Sequence, residues 1–269
     1  LFEKSFYFGL DLAASYTFGH SKSVYDGTSS VAYSNWKYNY AVDSNNPGLA
    51  YSMFDIPHRV MVSVGYRTPR YAKGFMATTV SLVYNGYVGQ RYSLTMNESY
   101  YDAEKKKTVY IDYNGDGWGG NSLLYIPTED ELQKMDFKTE EDRRKFDEWI
   151  EGDSYAKKHR GAYAMRNSNS APWENRVDLH VAQDIFVLKD RGSKFQVTFD
   201  VTNFANMLNK KWGTTYTAAY NVMPLQVIGS KKGEDGNYTN TYAYNSRNTI
   251  TKNDVLSRWH AQIGFKYIF

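Results

Sequence analysis

The stretch Asp112-Tyr113-Asn114-Gly115-Asp116-Gly117 places three oxygen-bearing side chains at alternate positions before a glycine. A hard cation needs converging carboxylate and carbonyl oxygens, and this spacing begins a twelve-residue calcium loop. Calcium at Asp112, Asn114 and Asp116 is therefore the candidate cofactor. The loop position that normally carries a bidentate Glu is Leu123, so the closing acid has to come from elsewhere, with Glu129 and Asp130 as candidates. A tight Asn/Asp/Gly turn without an ion is the competing reading.

A second chemistry is offered by flat rings. Trp36, Tyr38, Tyr40, Trp118, Trp149, Trp173 and Trp212 fall in polar stretches, where they are read as a stacking platform for a glycan or peptide. The alternative is that they anchor a rim at headgroup level or pack the loops on one another. His20, His58, His159, His180 and His260 lack metal-ligand spacing and are read as satisfied polar residues. No local signature of a catalytic triad stands out, and the expectation is that the chain is not an enzyme. With no cysteine, thiolate ligands and disulfides are excluded. The 32 basic and 29 acidic residues leave a net charge of +3 without a basic stripe, which argues against nucleic acid as a partner.

The elements that position these residues alternate with period two. Even positions from Phe6 to Phe18 are apolar, predicting one long strand. Val60, Val62, Val64 and Tyr66 oppose Arg59, Ser63, Gly65 and Arg67 in a strand over about 56–67, and Met76, Thr78, Val80, Leu82 and Tyr84 mark the next. Val177 to Val187, Phe195 to Val201 and Trp259 to Phe269 repeat the pattern. Turns are expected at Thr68 to Gly74 and at Lys189 to Ser193, and long excursions at about 21–46, 96–173 and 203–257. Thr128-x-x-Glu131 and Thr139-x-x-Asp142 read as helix starts, the second helix running through Trp149 and Ile150 to Gly152. The charges from Glu140 to Lys145 read as its solvated face.

These rhythms fit a transmembrane barrel, all-β and antiparallel, with lipid on one face of each strand and water on the other. Aromatics at 17% of the residues combined with a mean hydropathy of −0.63 point the same way. No apolar run is long enough for a helical span. Asp11, Asp178, Asp184 and Asp200 with Arg59, Arg67 and Arg176 are expected to face the lumen. About six strands alternate up and down, which places Leu1 and the C-terminus with the short turns. Nothing like a signal peptide opens the chain, so it is expected to begin downstream of its precursor's N-terminus.

The ending Gly264-Phe265-Lys266-Tyr267-Ile268-Phe269 resembles the C-terminal assembly signal of bacterial outer-membrane barrels, carried by Gly264, Tyr267 and Phe269. Three further stretches sharpen the likeness: Phe54-Asp55-Ile56-Pro57-His58-Arg59-Val60; the Tyr110 to Gly117 loop leading to Leu124-Tyr125-Ile126-Pro127; and Asn175 to Leu179 with Phe199-Asp200-Val201-Thr202-Asn203-Phe204. In this order they resemble the C-terminal barrel portion of TonB-dependent outer-membrane receptors, in particular the Oar-like group with carboxypeptidase-regulatory-like domains.

The resemblance implies residues 1–269 as the C-terminal part of one barrel of about 22 strands closed around a plug, with no plug in this chain. It implies a Gram-negative outer membrane, short turns and C-terminus in the periplasm, and long loops outside. The implied partners are outer-membrane lipids, the rest of the barrel with its plug, TonB through the missing N-terminal part, the barrel-assembly machinery, and a surface lipoprotein. The implied function is the wall and extracellular loops of a receptor that moves a large glycan, peptide or chelate. An adhesin-like or scaffolding barrel is the alternative. Six strands leave two open edges, which in lipid cost several kcal/mol for each unsatisfied backbone group, so the chain is expected to be part of a larger barrel.

Overall fold

The computed structural model describes all residues except 98, 189–192, 218–220, 235 and 247–249. The turn expected at Lys189 to Gly192 lies outside them. Strands take 46% of the structure and helices 13%, which makes the class all-β.

Seven antiparallel strands form one sheet, in the order of the chain: β1 (Phe2–Ser5), β2 (Leu10–Phe18), β3 (His58–Arg67), β4 (Met76–Tyr87), β5 (Glu174–Leu188), β6 (Ser193–Thr202) and β7 (His260–Ile268). Each strand pairs with its sequence neighbour in the sheet, as a meander must. β1 and β7 are its two edges, so these strands by themselves form an open sheet.

The register aligns apolar side chains across the whole sheet. Leu12 faces Val64, Val64 faces Leu82, Leu82 faces Leu179, Leu179 faces Val201 and Val201 faces Ala261. A slip of one residue in any strand would turn its apolar set to the other face. The opposite face carries the charges. Asp184 accepts hydrogen bonds from Arg67, Lys194 and Gln196 at 2.7, 2.7 and 2.8 Å, and His180 Nδ1 lies 2.5 Å from Asp200. Arg176 pairs with Asp178 and Arg59 donates to Asn85, so most of the expected charge ladder is satisfied within the polar face itself.

The N-terminal strand departs from expectation. The run from Phe6 to Phe18 is not one strand: the chain turns at 6–9 and β1 folds back on β2, pairing Phe2 with Ala14. Gly9 makes the turn at φ +95°, donating to the Phe6 carbonyl, and a Cβ there would lie 2.2 Å from the Arg67 carbonyl oxygen. The sheet thus has seven strands instead of six. Leu1, next to the residue that pairs with Ala14, sits partway up β2 and not among the short turns.

The long excursions do not continue the sheet strands. The first contains helix α1 (Ala32–Lys37) and is tied by the pairing of Lys22–Ser23 with Ala50–Tyr51. The second and third interleave: Arg91–Leu94 lies between Asn169–Ser170, antiparallel, and Asn221–Val222, parallel. Two hairpins rise beside them, Ser99–Asp102 with Lys107–Tyr110 and Leu225–Lys232 with Tyr238–Tyr244. Together with helices α2 (Glu129–Lys134) and α3 (Glu140–Gly152) they enclose the main hydrophobic core, where Leu94, Leu124, Ile126, Phe146, Ile150 and Leu225 meet.

Both helices start where their caps dictate. Thr128 and Glu131 form a complete capping box, and Thr139 accepts from the Asp142 N–H. α3 ends at Gly152 with Phe146 and Ile150, one turn apart, facing inward. Its outer face carries the pairs Glu140–Arg143, Glu141–Arg144, Glu141–Lys145 and Arg144–Glu148. A short helix, α4 (Phe204–Leu208), follows β6. No helix among the described residues is long and apolar enough to cross a membrane.

Candidate ligand-facing site in the loop cap

Where the first excursion meets the second, the loops leave a cavity of about 370 Å³ lined by Asp26, Tyr38, Asn39, Tyr40, Arg91 and Arg166 among others. Two buried arginines build its polar walls. Arg91 donates from Nε and Nη2 to Asp55 Oδ2 at 3.0 and 2.7 Å, and its guanidinium lies 4.1 Å from the Tyr51 ring centre. Arg166 donates to Asp26 at 3.0 Å, to Asn39 at 2.9 Å and to the Ser23 carbonyl at 2.5 Å. Each guanidinium is matched by one carboxylate, as burial of a charge requires.

The electrostatics follow from these contacts. Burial alone would raise the Asp55 carboxyl, but the Ser21 N–H, the Arg91 guanidinium and His20 outweigh it and hold the group below its ordinary value. Burial lowers the affinity of Arg166 for its proton although Asp26 opposes the shift. Asn167 ties the two sides together, donating to Asp26 at 3.0 Å and to the Tyr51 carbonyl at 2.8 Å.

The seven aromatics do not form one platform. Tyr38 and Tyr40 line the cavity. Tyr38 meets Trp118 edge-on with centroids 6.2 Å apart, while Trp36 stacks on Tyr33 at 6.0 Å. Trp149 lies flat on Phe146, packed against the core. Trp173 sits at the outer end of the sheet, where its ring covers Gly86; a Cβ there would meet Tyr84 Oη at 2.2 Å and the Trp173 ring at 3.0 Å. Both of these residues donate to Asn175 Oδ1. Trp212 is more than half exposed and lies beyond α4. Trp149 thus packs on the loop core and Trp173 on the sheet, and the geometry keeps only Trp36, Tyr38, Tyr40 and Trp118 in one region.

The Asp112 loop is built as a turn. Asp112 accepts from the Asp116 and Gly117 N–H groups, and Asp116 Oδ1 accepts from the Trp118 N–H. Asp116 Oδ2 accepts from Ser44, Asn114 and Asn121, which outweigh burial and keep the carboxyl low. No three of His, Cys, Asp and Glu converge on a metal-sized centre among the described residues, so Glu129 and Asp130 do not close the loop. They lie instead in the first turn of α2. The oxygens of this donor set already serve N–H and O–H donors, as in a turn that staples the loop to Ser44 and Asn121.

Four of the five histidines are paired with neighbours: His20 with Asp55, His58 with Tyr16, His159 with the Tyr155 carbonyl and His180 with Asp200. At the C-terminus, Tyr267 packs on Phe195 with centroids 4.8 Å apart, and Phe269 stacks on Tyr267 at 6.0 Å. Gly264 has a packing reason as well, since a Cβ would stand 2.5 Å from Thr198 Oγ1.

The sequence reading missed Asp26, Arg91, Arg166 and Asn167. Its nearest signal was Asp55, inside a stretch that carried the family likeness.

No curated protein and no solved structure matches the chain. Residues 1–249 match the family model described as an outer membrane beta barrel domain; the chain belongs to that family, and its place is the outer membrane.

Proposed function

We propose that this chain is the wall and extracellular loops of a TonB-dependent receptor of the Oar-like group, which takes up a glycan, peptide or chelate too large for porins. The observation that carries this reading is the loop cap: the second and third excursions from the sheet pack around one hydrophobic core, and the first and second enclose a polar and aromatic cavity. In this reading the short turns and Phe269 face the periplasm and the cap meets the ligand outside. The chain performs no catalysis. Further strands cover the free edges of β1 and β7, because unpaired backbone groups are costly in lipid. TonB, the plug, a surface lipoprotein and the assembly machinery are the partners this role requires.

The intact mass and N-terminal sequence of the native outer-membrane protein test it. A plug with an energy-coupling segment ahead of Leu1 is expected; a mass near 31.0 kDa would sink the receptor reading and favour a scaffolding barrel completed by another chain. Deleting Phe269 should lower outer-membrane insertion severalfold, measured as heat-modifiable protein in the membrane fraction. Unchanged insertion would remove the terminal residue from the assembly signal.

A further inference from the structure

Lys37 ends α1, and its ammonium points into rings. Nζ lies 3.3 Å from the Trp118 ring centre, 5.3 Å from Tyr38 and 5.7 Å from Tyr33. The ion pairs made by lysines among the described residues belong to Lys105, Lys145, Lys194 and Lys252, and Lys37 makes none. Among the described residues its charge therefore meets π faces and no carboxylate. Trp118 and Tyr38 stand at 88° to one another, so they form two walls of a corner, and Tyr33, stacked with Trp36, supplies a third surface.

This is the construction by which proteins recognise organic cations: ring faces carry negative potential, and a poorly hydrated cation loses little on entering them. A primary ammonium is compact and strongly hydrated, so Lys37 is a weak occupant of its own cage. Tyr33 and Tyr38 are each 61% exposed, which leaves the cage open to solvent. Tyr38 is also a wall of the 370 Å³ cavity, so one ring borders both spaces.

We propose that Tyr33, Tyr38 and Trp118 form a binding site for an alkylated or quaternary ammonium group, which Lys37 fills in the free protein and which such a ligand claims by displacing it. The body of the ligand then extends past Tyr38 into the cavity. This goes beyond the uptake reading and holds whether the barrel transports its ligand or only captures it. Lys37 competes as a tethered group, so its removal strengthens binding without adding any contact.

The test is titration of the intact protein in detergent micelles with tetramethylammonium chloride, against sodium chloride at matched ionic strength. Binding is read by saturation transfer to the methyl protons. Lys37→Ala is expected to bind about tenfold more tightly than the native protein, and Lys37→Ala combined with Trp118→Ala to lose that gain. Equal affinity in the native and Lys37→Ala proteins, or a gain that survives loss of Trp118, overturns the proposal. A second measurement needs no folded variant: with carbon-13 lysine left unmodified, the Lys37 Cε–H signal in the native barrel should stand upfield through ring currents and move toward its solvent position as tetramethylammonium is added. A Lys37 signal that stays in place overturns the proposal equally.

Discussion

The sheet and the loop cap use apolar residues in opposite ways. In the cap, Leu94, Leu124, Ile126, Phe146 and Ile150 are fully buried among protein atoms. In the sheet, Val64, Leu82, Phe199 and Phe265 line up in register yet remain 39% to 81% exposed. The cap lives in water and must make its own core, whereas the sheet uses lipid as the other half of its core. The cap therefore depends on packing complementarity, and the sheet on keeping two faces chemically distinct.

The largest expected difference comes from emptying the cap core. Phe146→Ala should cost about 3–5 kcal/mol through lost transfer energy and an unfilled cavity. Hydrogen exchange should show the cap opening while β2 to β6 stay protected. Equal loss of protection in the sheet would mean that the two regions fold as one cooperative unit.

The reverse perturbation targets the lipid face. Leu82→Lys should cost about 2–4 kcal/mol if Leu82 lies near the bilayer midplane, whereas Ser81→Lys, one residue away on the polar face, should be tolerated. Urea titration of the barrel in lipid vesicles checks this, and similar losses from both changes would contradict the assignment of faces.

Acid should sharpen the contrast in a smaller way. The Asp55 carboxyl is held below its ordinary value of 3.8, so its contribution to stability is complete above that value and is lost as the pH falls through it toward the folded value. The cap should therefore become more protease-sensitive below about pH 4 than at neutrality, and Asp55→Asn should blunt the part of this response that belongs to Asp55. The smallest effect is expected on α3, where Glu141→Gln removes solvent-exposed ion pairs and should leave the melting temperature of the cap unchanged within error.

Much of the sheet was legible because two solvents impose a period of two on every spanning strand. The expected strand near 56–67 became His58–Arg67, and the helix starts at Thr128 and Thr139 were found because capping is a local hydrogen-bonding requirement. The hairpin of β1 and β2 was hidden for a physical reason: Phe6 and Phe8, in the turn itself, continue the even-numbered apolar parity of β2, so alternation runs into the turn without a break. Gly9 was the one visible mark of the turn, needed there for its positive φ and because the Arg67 carbonyl leaves no room for a Cβ. The aromatics illustrate the same limit. Trp149 and Trp173 have equal standing in sequence with Trp36 and Trp118, and only packing against Phe146 or over Gly86 separates them.

By itself the sequence determined the membrane-facing alternation, the caps of α2 and α3 and the terminal aromatic pattern, since each rests on neighbours within a few positions of the chain. Tertiary structure alone decided the cavity and the cage. Arg91 finds Asp55 36 residues away, and Arg166 finds Asp26 across 140. Lys37 meets Trp118 only because two separate loops converge. No local periodicity encodes such pairs; they arise when charges and rings brought together by separate loops must find partners at the junction.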